Sequence, residues 1–159
     1  MIEPHAARRT AAWVAAGAIL LVLAAIALGH AGPPTIERKF VLVPLATHLR
    51  TVRCLLTACA PAGPLLTSLL IDGLGNMLVF APLGAALAVA LAGRRPVQRA
   101  VLLGAAVSVA FEIIQIFIPG RVVATDDVLL NAAGTALGAA AAWAAVPALR
   151  TTTTRSDSR

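Results

Sequence analysis

Four long apolar runs constrain the fold of this chain more than any other feature of its sequence. They lie at 11–28, 73–92, 100–118 and 128–149. Each run is close to the ~20 helical residues needed to cross a hydrocarbon layer about 30 Å thick. Within that layer the backbone amides need internal partners, which a helix supplies. The sequence therefore predicts an all-α membrane bundle of about four transmembrane helices, forming a single domain over 1–159.

The composition excludes a disordered chain and argues against a soluble domain. Hydrophobic residues make up 59% of the 159 residues and charged residues only 13%, whereas soluble domains average about 25% charged residues. The net charge of +6 comes from arginines grouped between the apolar runs, as is typical of membrane proteins. We therefore predict membrane lipids as partners and no nucleic-acid binding. The preference for Arg and Ala is typical of a GC-rich bacterial genome.

The segment 30–71, between the first two runs, contains too many prolines and charges to span a membrane. We predict an outer loop with an interfacial amphipathic segment near 47–60. Cys54 and Cys59 lie in it, and they would pair if this side is oxidising; we favour two unpaired small apolar residues. The polar tail 151–159 is predicted to be disordered.

The distribution of basic residues predicts the orientation. With four spans, the short segments on the side of the two termini carry eight arginines, while the short segment on the other side carries only Arg121. Because short cytoplasmic segments are enriched in Lys and Arg, we place both termini in the cytoplasm of a bacterial cell. The segments 30–71 and 119–127 then lie outside.

Polar residues of the membrane region concentrate at the outer ends of three helices. Residues three or four positions apart share a helix face, so each helix presents one polar stripe toward a common cleft. Ionisable residues within spans usually mark a functional site. We predict a rim of Asp72, Arg121, Asp126 and Asp127, a shelf of Asn76, Gln115 and Asn131, and Glu112 at the floor, with Arg121 near enough to fold back toward Glu112.

Small residues and a proline indicate how the helices pack. Gly134 and Gly138 form a GxxxG pattern that permits close helix approach, and Pro82, followed by Gly84, is expected to kink the second span. Intramolecular packing accounts for these glycines, so an oligomer is possible but unsupported. We predict no cofactor and no metal site, because the histidines are scattered and Asp126, Asp127 and Glu112 lack a regular ligand spacing.

Several of these residues resemble the VanZ-like family in their order and spacing. The resemblance covers about 40–142, although Val41 and Leu45 stand where the family has Asn and Phe. It implies a small bacterial membrane protein of the cell envelope, whose family namesake is linked to resistance to the lipoglycopeptide antibiotic teicoplanin. The motifs are Asn76 to Gly84 with Phe80 and Pro82, then Ser108, Glu112 and Gln115, then Gly120, Arg121, Asp126, Asp127, Asn131, Gly134 and Gly138.

Three classes of function fit these residues. The cleft could bind an amphiphile, such as a lipid-linked wall precursor or a lipoglycopeptide, and so lower glycopeptide susceptibility. It could instead belong to an intramembrane enzyme acting on a lipid head group, with Glu112 or Asp127 as the acid–base group. A structural accessory protein is the third class. A monomeric transporter is disfavoured because the inner half of each predicted span is almost entirely apolar.

Overall fold

The computed structural model describes residues 4–29 and 39–146, with side chains described for 6–29 and 40–146. The described residues are predominantly helical, which confirms the predicted fold class. Two short strands, β1 (Lys39–Val41) and β2 (Val122–Ala124), accompany the helices. The helices are α1 (Pro4–Leu28), α2 (Ala46–Leu56), α3 (Ala62–Ser68), α4 (Asn76–Ala90), α5 (Pro96–Gln115) and α6 (Thr125–Ala145), with a π-helical segment at Leu69–Gly75.

Four helices of the described chain are long and apolar enough to cross a membrane. Most of the large apolar side chains along them, such as Leu21, Leu78 and Leu102, are exposed, as expected for helices that face lipid. The spans are Ala6–Leu28, Ala62–Ala90, Pro96–Gln115 and Thr125–Ala145. The last three residues predicted for the fourth span, the tail 151–159 and the predicted loop residues 30–38 lie outside the described residues.

The second span differs from its predicted boundaries. The sequence predicts a start at Gly73, but the helix begins at Ala62 because α3, the π-helical segment and α4 form one continuous helix. Pro61 occupies the N-cap position and Pro64 lies in the first turn, where a missing N–H disrupts no helical hydrogen bond. The predicted outer segment 30–71 is therefore shorter than expected.

A small parallel ladder joins the outer segment to the start of α6. Phe40 of β1 pairs with Val123 of β2, and Val41 pairs with Ala124. The sequence predicts neither strand, because three residues are too short to show the alternation of a strand. The ladder positions the backbone of β2 beside the end of α5.

The helix α2 overlaps the predicted amphipathic segment 47–60, begins one residue before it and buries none of its own residues. Its apolar residues Leu49, Val52 and Leu56 are exposed on the surface of the protein. A disulfide joins Cys54 to Cys59, whose Cα atoms are 5.0 Å apart. The expectation of two unpaired cysteines is therefore wrong, because the turn after α2 brings the second cysteine back to the first.

The closest helix packing occurs between α4 and α6. A Cβ atom at Gly134 or Gly138 would overlap the backbone of Met77 or Ala81, and one at Gly84 would overlap the backbone of Thr135. The predicted glycines thus all lie at contacts within the chain, whereas Pro82 lies on the exposed face of α4. Beside this contact, the rings of Phe80 and Phe111 meet edge to face, with centroids 6.5 Å apart.

Candidate functional site

A cavity of about 340 Å³ lies where α5 ends and α6 begins. Its walls come from α1, α4, α5, α6 and β2. The three predicted polar stripes and the end of the first span therefore surround it. Six of the eight predicted cleft residues line it, namely Asn76, Glu112, Gln115, Arg121, Asp127 and Asn131. Its apolar lining consists of Leu23, Ile26, Ala27, Val79, Phe80, Phe111 and Val122.

The deepest polar contact of the site joins α5 to α6. The Asn131 side-chain amide donates to the Ser108 hydroxyl at 2.8 Å, and the Thr135 hydroxyl donates to the backbone carbonyl of Asn131 at 2.8 Å. Ser108 lies one helical turn deeper than Glu112 along α5 and does not line the cavity. The antiparallel direction of α5 and α6 places Asn131 opposite Ser108.

The two cleft carboxylates lie one turn nearer the outer end. Glu112 Oε2 accepts the backbone N–H of Ala124 at 2.9 Å, which fixes β2 against the end of α5. Asp127 Oδ1 accepts the Asn76 side-chain amide at 3.1 Å, and this bond joins α6 to α4. One oxygen of each carboxylate therefore stabilises the walls of the cleft.

Arg121 and Gln115 both bind the end of α1. Each donates a side-chain hydrogen bond to the carbonyl of Ala27, Gln115 at 3.0 Å. Carbonyls in the last turn of a helix lack helical partners, and side-chain donors often satisfy them. Arg121 and Glu112 both line the cavity but form no salt bridge: among the described residues the one salt bridge joins His48 to Asp126.

Asp126 is buried outside the cleft, with only 2% of its surface exposed. It accepts a hydrogen bond from His48 Nδ1 at 2.9 Å and another from the backbone N–H of Leu45. These bonds hold the start of α2 against the start of α6. The predicted cleft role of Asp126 is not supported by this placement, and His48, which it contacts, is separated from it by 78 positions and has no sequence signal.

Asp72 is exposed and does not line the cavity. Its side chain accepts a hydrogen bond from the Ser68 hydroxyl at 2.7 Å. It still lies among the charged neighbours of Asp127, so it belongs to the surroundings of the cleft mouth rather than to its lining. The π-helical segment that contains Asp72 breaks the α-helical spacing from which a shared face with Asn76 is predicted.

Two polar atoms of the lining residues are buried without a hydrogen-bond partner, Asn131 Oδ1 and Arg121 Nε. Buried polar groups normally have partners, so a donor and an acceptor remain to be satisfied here. Within the described parts of the chain, no group of three His, Cys, Asp or Glu residues is placed to hold a metal ion.

The motifs that resemble the VanZ-like family therefore converge around one cavity between four apolar helices. The family described as VanZ/LLP1 matches residues 13–146, which includes the last three spans, the first span from Trp13 onward and every residue of the cleft. The chain matches no curated protein and no solved structure. Fold, spans and family match agree: the chain belongs to the VanZ/LLP1 family and is a multi-pass membrane protein.

Proposed function

We propose that this protein binds the polar head of an amphiphile in its cleft at the outer face of a bacterial cell membrane. The ligand class is a lipid-linked wall precursor or a lipoglycopeptide, and its binding lowers glycopeptide susceptibility. The observation that carries the proposal is the mixed lining of the cavity, in which six polar side chains face seven apolar residues.

The size and lining of the cavity both favour an amphiphile over a fully polar solute. Its volume of about 340 Å³ lies at the lower end of the ~300–1,000 Å³ of small-molecule sites, which suits one head group rather than a whole antibiotic. Asn76, Gln115 and Asn131 offer amide groups for hydrogen bonding. Ile26 and Val79 line the cavity and are also exposed, which provides an apolar border for an attached chain.

The disulfide supports the outward orientation of the cleft. Disulfides persist in oxidising compartments and are rare in the cytoplasm, and Cys54–Cys59 lies in the segment that precedes the second span. That segment is joined to the cleft by the β1–β2 ladder and by the His48–Asp126 contact. The disulfide and these contacts agree with the arginine distribution, from which we predict cytoplasmic termini.

An intramembrane enzyme acting on a lipid head group is the second candidate. Glu112 and Asp127 both line the cavity and are near enough to interact electrostatically. Each keeps one carboxylate oxygen without a hydrogen bond among the described residues, so either is available to accept a proton from a bound ligand. This candidate predicts that Glu112→Gln abolishes function while the fold persists.

Drug susceptibility of a sensitive host tests the proposal. Cells would express wild type, Asp127→Asn or Asp72→Asn, with membrane levels matched, and would be challenged with glycopeptides and lipoglycopeptides. We expect wild type and Asp72→Asn to protect and Asp127→Asn to fail, because only Asp127 lines the cleft. No protection by wild type would contradict the resistance role, and equal protection by all three chains would contradict the role of the cleft.

A further inference from the structure

Three facing positions of α5 and α6 lie along one line, each one helical turn from the next. At the deepest, the Thr135 side chain packs over Gly104. At the next, Asn131 donates to Ser108. At the outermost, Glu112 faces Asp127. The two deeper positions are complementary in shape and hydrogen bonding, whereas the outermost brings together two groups of the same charge.

The outer part of this line contains more hydrogen-bond acceptors than donors. Glu112 and Asp127 each use one carboxylate oxygen in a protein contact, and no hydrogen bond reaches the other oxygen from the described residues. Asn131 is 7% exposed and its Oδ1 is buried without a partner. Three acceptors therefore lie within about one turn of two packed helices, roughly 6 Å of helix length.

The cleft also carries surplus negative charge. Arg121 is the single basic residue in its described lining, and its guanidinium donates to the Ala27 carbonyl instead of to either carboxylate. Arg121 is close enough to interact with both carboxylates electrostatically, but carboxylates that receive no hydrogen bond from a cation are costly inside a membrane. A bound cation with several donors would compensate both the charge and the acceptors.

Building on the proposed function, we propose that the head group bound in the cleft carries a primary ammonium. An ammonium has three N–H donors and no acceptor, which matches the free oxygens of Glu112, Asp127 and Asn131. Charge-assisted hydrogen bonds of this kind are stronger than neutral ones. Arg121 Nε, buried without a partner, is left to donate to a phosphate beside the ammonium, as in a phosphoethanolamine head group.

The apolar wall favours an organic ammonium over a bare metal ion. Leu23, Phe80 and Phe111 line the same cavity and provide a surface for the carbon atoms attached to the nitrogen, which a metal ion does not need. The described side chains also place no group of three His, Cys, Asp or Glu residues for metal binding.

Lipid selectivity of the full chain tests this inference. The protein would be reconstituted in nanodiscs of equal parts phosphatidylethanolamine, phosphatidylcholine and phosphatidylglycerol, and retained lipids would be counted by native mass spectrometry. We expect phosphatidylethanolamine to be enriched about tenfold over phosphatidylcholine, a difference of about 1.4 kcal/mol, because phosphatidylcholine keeps the charge but lacks N–H donors. The mono- and dimethyl derivatives should fall between the two.

Variants connect the selectivity to the cleft. Glu112→Gln and Asp127→Asn keep the side-chain shape and should lose the preference, while Asp72→Asn removes the same charge outside the lining and should keep it. Thermal melting checks that each variant is folded. Equal retention of the three lipids, a preference for another lipid, or a preference that survives both cleft variants would overturn the ammonium inference alone. Failure of all three lipids to be retained would likewise overturn the ammonium inference, whereas the proposed function is contradicted only by the drug-susceptibility assay.

Discussion

Asn131 connects the helix interface of the bundle to the cleft through one side chain. Its amide nitrogen binds Ser108, its backbone carbonyl accepts the Thr135 hydroxyl, and its side-chain oxygen is left without a partner. Asn131 therefore joins two helices and also lines the cavity.

The stabilising part of this arrangement is testable at Ser108. Ser108→Ala removes the acceptor for the Asn131 amide, and interhelical hydrogen bonds in membranes contribute about 0.6–2 kcal/mol. We expect the free energy of unfolding in mixed detergent micelles to fall by about 1 kcal/mol. Ser68→Ala is the matched control, because the hydrogen bond from Ser68 to Asp72 is exposed. An equal loss in both variants would contradict the prediction.

Helical spacing identifies six of the eight predicted cleft residues. It misplaces Asp72, which lies in the π-helical segment, and Asp126, for a different reason. Asp126 and Asp127 are adjacent, so they point about 100° apart around α6. One faces α2 and the other faces the cleft. Spacing gives the angle between side chains but not the element that covers each face. The contact between Asp126 and His48 depends on how the outer segment folds back, which no local pattern encodes.

At the scale of elements, the long helices are predictable and the short connections are not. Apolar length identifies four spans, because a helix needs about 20 residues to cross the membrane, whichever helices it packs against. The π-helical segment Leu69–Gly75 and the strands β1 and β2 have no such requirement. Pro61 and Pro64 suggest an interruption, yet both lie at a helix start, where proline is tolerated.

The close contact between α4 and α6 can be tested by substituting its glycines. Gly138→Leu would drive a side chain into the backbone of Ala81, and overpacking costs about 1–3 kcal/mol or more even where side chains can move. We expect Gly138→Leu to lose more than about 3 kcal/mol of stability or to fail to fold, as read from its melting temperature and its yield in membranes.

Gly17 in α1 provides the matched control, because no atom lies within 4 Å of a Cβ built there. Gly17→Leu should therefore melt close to wild type. A destabilised Gly17→Leu beside an unaffected Gly138→Leu would show that the contact between α4 and α6 does not depend on the absence of a side chain.

The whole molecule places its polar chemistry at one end, and the orientation of that end in the membrane is open to a labelling experiment. In intact cells, a membrane-impermeant maleimide should label Cys54 and Cys59 only after reduction, because the two are joined by a disulfide and are proposed to lie outside. Gln98→Cys, in a chain with Cys54 and Cys59 changed to serine, should be labelled only after cells are opened. The reverse pattern would invert the proposed topology.

The overall architecture is predictable from composition and apolar length, and the complete lining of the cavity is not. The stripes at Asn76, Glu112 and Asp127 are visible in the sequence, but α1 contributes no polar stripe. Its part in the site comes from the Ala27 carbonyl, which Gln115 and Arg121 bind. Every residue has a backbone carbonyl, so the sequence alone does not show which carbonyl belongs to the site.

Because of the π-helical segment, the chain should tolerate the loss of one residue in one part of the bundle better than in another. Because a π turn holds about one residue more than an α turn, loss of one residue between Leu69 and Gly75 can be absorbed by a return to α-helix, with Asn76 left in place. Loss of one residue between Asp127 and Gly134 would rotate the remainder of α6 by about 100° and move its glycines out of contact with Met77 and Ala81. Single-residue deletions should therefore be tolerated between Leu69 and Gly75 and eliminated between Asp127 and Gly134.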